Sequence, residues 1–178
     1  MSIFSEWCQR IAWSPTLNLF VAVGRGGNSH ARSTNGINWT GNGALFTEGR
    51  GVAWGNGMFI AVGLGVTHNF SRSTDGINWT RYGGKTTFST RGFNIAYNGV
   101  RWVAVGQGTN NSLAYSNDGI TWIGLGLSIF SFWALGVEWA KSLNLWVASG
   151  QGTNSLLFLI SPHTIKFDFS IRETCSNT

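Results

Sequence analysis

The chain has 178 residues, 43% of them apolar and only 11% charged, which excludes a disordered tail and leaves room for one domain or a short repeat array. Its formal charge of +5 comes from 12 Lys/Arg against 7 Asp/Glu, and the basic residues stand singly along the chain. A nucleic-acid footprint is clustered, so no nucleic-acid partner is expected.

A content of 25 Gly, 10 Trp and 2 Pro suits many short strands joined by tight turns, with large aromatics between sheets. No window keeps an apolar helical period free of glycine, so helix is unsupported. Residues 1–7 carry neither the basic nor the apolar region of a signal peptide, and every apolar run is too short to span a bilayer. An intracellular or virion-associated location without membrane contact is therefore expected. Cys8 and Cys175 would staple the ends of a closed ring as a disulfide; two free thiols in a reducing compartment is the preferred reading. His30, His68 and His163 lack metal-ligand spacing, so no metal and no cofactor are expected.

Taken in chain order, the sequence repeats itself. Phe4, Phe46, Phe88 and Phe130 follow one another at intervals of 42 residues. Each is followed by a short β phrase, Ile11-Ala12-Trp13, Val52-Ala53-Trp54, Ile95-Ala96-Tyr97 and Val137-Glu138-Trp139. A turn leads to the most apolar strand of each unit: Phe20–Gly24, Phe59–Gly63, Trp102–Gly106 and Trp146–Gly150. A continuous apolar run bounded by turn residues suits a strand buried on both faces. A Gly/Asn loop then precedes a third strand (His30–Ser33, Phe70–Ser73, Leu113–Ser116). A tight turn delivers the fourth strand at a tryptophan. That turn reads Ser33-Thr34-Asn35-Gly36-Ile37-Asn38-Trp39, Ser73-Thr74-Asp75-Gly76-Ile77-Asn78-Trp79 and Ser116-Asn117-Asp118-Gly119-Ile120-Thr121-Trp122. The fourth unit leaves the pattern after Asn154, although Thr164–Ile171 still alternates and would supply a last outer strand.

Four strands in about 42 residues leave no room for a parallel crossover and specify a meander. Units of this size and strand count point to an all-β propeller of four-stranded antiparallel blades, spanning residues 4–45, 46–87, 88–129 and 130–171, with the fourth degenerate. Closure stays open at this point. A tight four-blade ring, with Met1–Trp7 beside the last blade, a half-ring pairing with a second copy, and a piece of a larger propeller each bury the blade faces.

The repeated turn resembles the Asp box of β-propellers in a variant one residue shorter, and the Val-Ala-Val-Gly and Asp-Gly-x-x-Trp-Thr phrasing is similar to repeat proteins of large DNA viruses. The resemblance implies a turn between third and fourth strands, on the side away from ligand sites. Ser33, Asn35, Gly36 and Trp39, Ser73, Asp75, Gly76 and Trp79, and Ser116, Asp118, Gly119 and Trp122 are then structural: the carboxylate or amide accepts local backbone N–H groups and the glycine supplies positive φ. Asn28, Asn69, Asn110 and Asn154 in the Gly-x-Gly loops, with Arg50 and Arg91 ahead of the first strands, form the candidate ligand set. Sialidases share this fold signature and hold a carboxylate with three arginines, but the Arg-Ile-Pro phrase is absent and no pair of carboxylates is spaced for glycoside hydrolysis. A non-enzymatic structural or protein-interaction module is expected, with a protein partner or self-association, and a lectin-like glycan binder as the alternative.

Overall fold

A computed structural model describes residues 3–83, 85–152, 156–160 and 166–167. Blade 1 comprises β1 (Trp7–Ser14), β2 (Leu19–Arg25), β3 (His30–Ser33) and β4 (Thr40–Gly41); blade 2 comprises β5 (Glu48–Gly55), β6 (Met58–Leu64), β7 (Phe70–Ser73) and β8 (Thr80–Tyr82). Blade 3 is β9 (Arg91–Tyr97), β10 (Trp102–Gln107), β11 (Leu113–Ser116) and β12 (Ile123–Gly124), and blade 4 is β13 (Trp133–Ala140), β14 (Leu145–Gln151), β15 (Leu156–Ile160) and β16 (Lys166–Phe167). Each blade is a separate four-stranded sheet in sequence order, antiparallel throughout. The fourth unit thus completes its sheet despite the loss of the repeat: β15 pairs with β14, and Leu159 and Ile160 pair with Phe167 and Lys166. Asn154 and Cys175 lie outside the described residues.

The first strand of each unit is innermost. β1 packs beside β5, β5 beside β9, and β9 beside β13. This is a β-propeller arrangement, and three apolar clusters fill its wedges. Leu19, Val21 and Val23 meet Phe46, Val52 and Phe59 between blades 1 and 2; Ile60 and Val62 meet Phe88, Ile95 and Trp102 between blades 2 and 3; Val103 and Val105 meet Phe130, Val137 and Trp146 between blades 3 and 4. The apolar second strands of blades 2 and 3 are therefore covered on both faces, as their unbroken runs require. No comparable contact joins β13 back to β1 among the described residues, so the four blades form an open arc.

The 42-residue phenylalanine spacing has a packing cause. Each Phe lies flat on the glycine that ends the second strand of its own blade. A β-carbon at Gly24, Gly63, Gly106 or Gly150 would stand 2.8, 2.9, 2.7 or 2.7 Å from the ring of Phe4, Phe46, Phe88 or Phe130. The Val-Ala-Val-Gly phrase needs its glycine because a carbonyl of the paired inner strand (Trp7, Glu48, Arg91 or Trp133) and the aromatic ring together occupy the space of a side chain. The same contact fixes the start of the chain: Phe4 covers blade 1, and the Ile3 carbonyl accepts a hydrogen bond from Asn28 Nδ2. Residues 3–7 thus pack on their own blade.

Candidate functional site

The antiparallel pairing separates two ends of the arc. Glu48 pairs with Leu64 and Arg91 with Gln107, so the loops after the second strands sit beside the starts of the inner strands. Phe59 pairs with Ser73, which puts the Ser-x-Asp turns at the opposite end.

At the turn end, three self-contained clips repeat. Ser73 Oγ donates to Asp75 Oδ1 and accepts from Gly76 N at 2.8 Å, while Asp75 Oδ1 accepts from Ile77 N and Asn78 N at 2.8 and 2.7 Å. Ser116 and Asp118 repeat this with Gly119, Ile120 and Thr121, and Ser33 and Asn35 with Gly36, Ile37 and Asn38. Gly36, Gly76 and Gly119 hold φ of 73, 70 and 74°. Trp39 and Trp79 close the clip by donating Nε1–H to the carbonyls of Gly36 and Gly76. Burial pushes the Asp118 carboxyl up, but these donors outweigh it and hold the group at about 2; Asp75 is lowered for the same reason. Carboxylates held this way by backbone donors are poor proton carriers near neutral pH.

At the loop end, two of the four candidate asparagines hold the loops together. Asn28 bridges the Ile3 carbonyl and Gly43 N, and fully buried Asn69 bridges the Phe88 carbonyl and Gly65 N. In blade 3 the matching bridge, from the Thr87 carbonyl to Gly126 N, belongs to Asn111, while Asn110 is exposed beside it. Aligning Asn28-Ser29-His30 with Asn111-Ser112-Leu113 would have singled out Asn111 from sequence.

Arg50 and Arg91 converge on a residue that sequence reasoning passed over. Glu48, 7% exposed, binds Arg50 Nε at 2.9 Å, Arg25 Nη1 at 3.2 Å and Arg91 Nη1 at 3.6 Å. Arg25 also meets Glu6 at 3.0 Å. The Arg50 guanidinium lies 5.6 Å from the Trp7 ring and 5.3 Å from that of Phe93, which ties blades 1 and 3 to blade 2. Glu48 occupies the inner-strand position held by Trp7 and Arg91 in the neighbouring blades, so only a blade-by-blade register reveals it.

Along the axis, the inner strands line a cleft of about 330 Å³ bordered by Arg10, Ala12, Ala53, Asn94, Ala96 and Glu138. Glu138 stands where three blades carry alanine. Among the described residues no group of His, Cys, Asp and Glu is arranged to hold a metal ion, and no helix is long and apolar enough to cross a membrane.

The ends of the arc differ most from its interior. Val52, Ile95 and Val137 are 6, 3 and 3% exposed, each covered by the preceding blade, whereas Ile11 at the same register is 55% exposed. A groove of about 450 Å³ opens beside it, lined by Phe4, Cys8, Ile11, Ala22 and Trp39. Cys8 is an exposed free thiol, raised by partial burial. On blade 4 the outward row of β14 is Leu145, Val147 and Ser149, half-buried, half-buried and exposed. Its counterparts Leu19, Val21 and Val23 are 8, 1 and 0% exposed.

No protein-family model and no curated protein matches the chain. Solved structures do. A chain of a nidogen/laminin complex matches with TM-score 0.64 and 12% identity over 88% of this chain and 64% of that one. YCF48 from Cyanidioschyzon merolae matches with TM-score 0.62 and 18% identity over 93% and 57%. The computationally designed Ika8 protein matches with TM-score 0.60 and 9% identity over 86% and 45%. The protein spans roughly half to two-thirds of the length of these chains, and at such identities the likeness is one of fold, a β-propeller.

Proposed function

We propose that this protein is a non-enzymatic structural and protein-interaction module, working through the blade faces at the ends of its arc as part of a larger assembly. The observation that carries this reading is Ile11, 55% exposed at a position buried in every other blade. An apolar sheet face with an adjoining groove is a protein-docking surface by its chemistry. The nidogen/laminin match is itself drawn from a protein complex, which agrees with this use of the fold. The Asp-box-like turn and the likeness to repeat proteins of large DNA viruses support a role in such an assembly, including a virion.

The cleft supports the non-enzymatic part of the reading. Glu138 faces alanines from the other inner strands, whereas glycoside hydrolysis works through two carboxylates flanking one bond. Cross-linking mass spectrometry tests the proposal: inter-protein links should concentrate on blade 1 near Cys8 and Ile11 and on β14. Turnover of a chromogenic glycoside that disappears with Glu138→Gln would overturn it. The glycan alternative rests on exposed Asn110, and binding on a glycan array that is lost with Asn110→Ala would favour it.

A further inference from the structure

The three boundaries between blades share one steric rule. A valine on the second strand of one blade presses on a position of the next blade's inner strand that has almost no side chain. A β-carbon at Gly49 would lie 2.8 Å from Val23 Cβ, and one at Gly92 would lie 2.6 Å from Val62 Cβ. Val105 and Ala134 share the cluster between blades 3 and 4. The two positions left over at the ends of the arc invert the sizes: Cys8 stands where Gly49, Gly92 and Ala134 stand, and Ser149 where Val23, Val62 and Val105 stand. A larger inner-strand residue therefore faces a smaller second-strand one, and the summed volume of the pair is kept. Close packing makes such compensation a requirement between surfaces that meet.

We propose that two copies of this chain close a ring of eight blades, with the outer face of blade 4 in each copy seated against the back of blade 1 in the other. This rests on the protein-interaction reading and names the partner. The groove beside Ile11 is the slot that, on blade 2, receives Leu19, Val21 and Val23 from blade 1. Leu145, Val147 and Ser149 offer the matching row. Continuity with three formed boundaries thus selects another blade of the same repeat as occupant, and blade 4 carries the residue whose size fits Cys8.

The turns agree. Gly76 O accepts from Asn42 Nδ2 of the preceding blade, and Gly119 O accepts from Tyr82 Oη of its own predecessor. Leu19 and Ile60 crowd Gly76 and Gly119, whereas around Gly36 the nearest atom belongs to Phe20 of the same blade. A head-to-tail contact that closes after two copies buries both ends of both chains.

Sedimentation equilibrium of the full chain at about 10 µM and above, where an interface of ordinary size is populated, tests the pairing. The expected mass is twice 19.4 kDa. Ile11→Arg, on an exposed side chain, should return the mass to that of one chain with unchanged circular dichroism. Wild-type protein that stays single at every concentration, or that grows into open-ended polymers, would overturn the pairing. A single chain that still cross-links to another protein through blade 1 would overturn the pairing alone and leave the interaction reading standing.

Discussion

Val62 stands so close to Gly92 across the boundary between blades 2 and 3 that a β-carbon at residue 92 would lie 2.6 Å from Val62 Cβ. Both residues are fully buried in a rigid wedge, so neither can yield cheaply. Gly92→Val should lower stability by about 3 kcal/mol, read from urea unfolding followed by tryptophan fluorescence. Gly27→Ala, with nothing within 4 Å of its added carbon, should change stability by less than about 0.5 kcal/mol.

The clips make a prediction about chemistry as well as strength. Asp118→Ala removes the acceptor for Ile120 N and Thr121 N and should cost about 1–2 kcal/mol. Asp118→Asn should cost much less, since Asn35 makes the same two bonds in blade 1. The Asp118 carboxyl is held at about 2, below its ordinary value of 3.8, so its contribution is complete above about pH 4 and is lost as the pH falls through 2. Unfolding curves taken between pH 5 and pH 2 should therefore converge for wild type and Asp118→Asn.

His30 is a buried pH-sensitive group at the boundary of blades 1 and 2. Ser29 Oγ accepts from Leu45 N and Phe46 N and shares a hydrogen bond with His30 Nδ1 at 2.9 Å, while His30 Nε2 shares one with Ser71 Oγ at 3.0 Å. The ring is held neutral between Phe46 and Trp79, and burial lowers its pKa to about 3 from 6.5. A histidine lowered on folding adds stability above its unfolded pKa and loses it as the pH falls through that value towards the folded one. Stability should thus drop between pH 6.5 and pH 3, by roughly 1 kcal/mol per pH unit. The double variant His30→Phe with Ser71→Ala, which places at residue 30 the ring that blade 2 carries as Phe70, should flatten that slope in urea titrations.

Glu48 neutralises three guanidiniums, one from each of blades 1, 2 and 3. Glu48→Gln would leave Arg25, Arg50 and Arg91 facing one another and should cost about 2–3 kcal/mol, a loss that added sodium chloride reduces. Glu6→Gln, on a half-exposed pair, should cost less than about 1 kcal/mol. Thermal melts at low and high salt separate the two.

The sequence carried the blades because each repeated residue answers a repeated contact. The phenylalanine spacing and the Val-Ala-Val-Gly phrase are two sides of one ring-on-glycine contact, and the Ser-x-Asp-Gly turn needs only itself. Blade 4 keeps its backbone pairing without the turn, since ladder bonds tolerate side-chain change. Features set by neighbouring blades were harder to read. Ile11 has the same local phrase as Val52 and Ile95, and only the absence of a covering blade distinguishes it. Glu48 carries no local signal, and only the register between blades places three arginines around it. Asn110 and Asn111 are adjacent, and the loop geometry alone decides which one bridges.

The most direct test of the open arc and its pairing is a disulfide between its two ends. In a Cys175→Ser background, Ser149→Cys places a thiol opposite Cys8 at the inverted pair, where neighbouring β-carbons come within bonding reach. Under mild oxidation the account predicts a covalent dimer on a non-reducing gel, with both thiols consumed. A product that migrates as one chain with both thiols consumed would mean that blade 4 meets blade 1 of the same chain, and would contradict it.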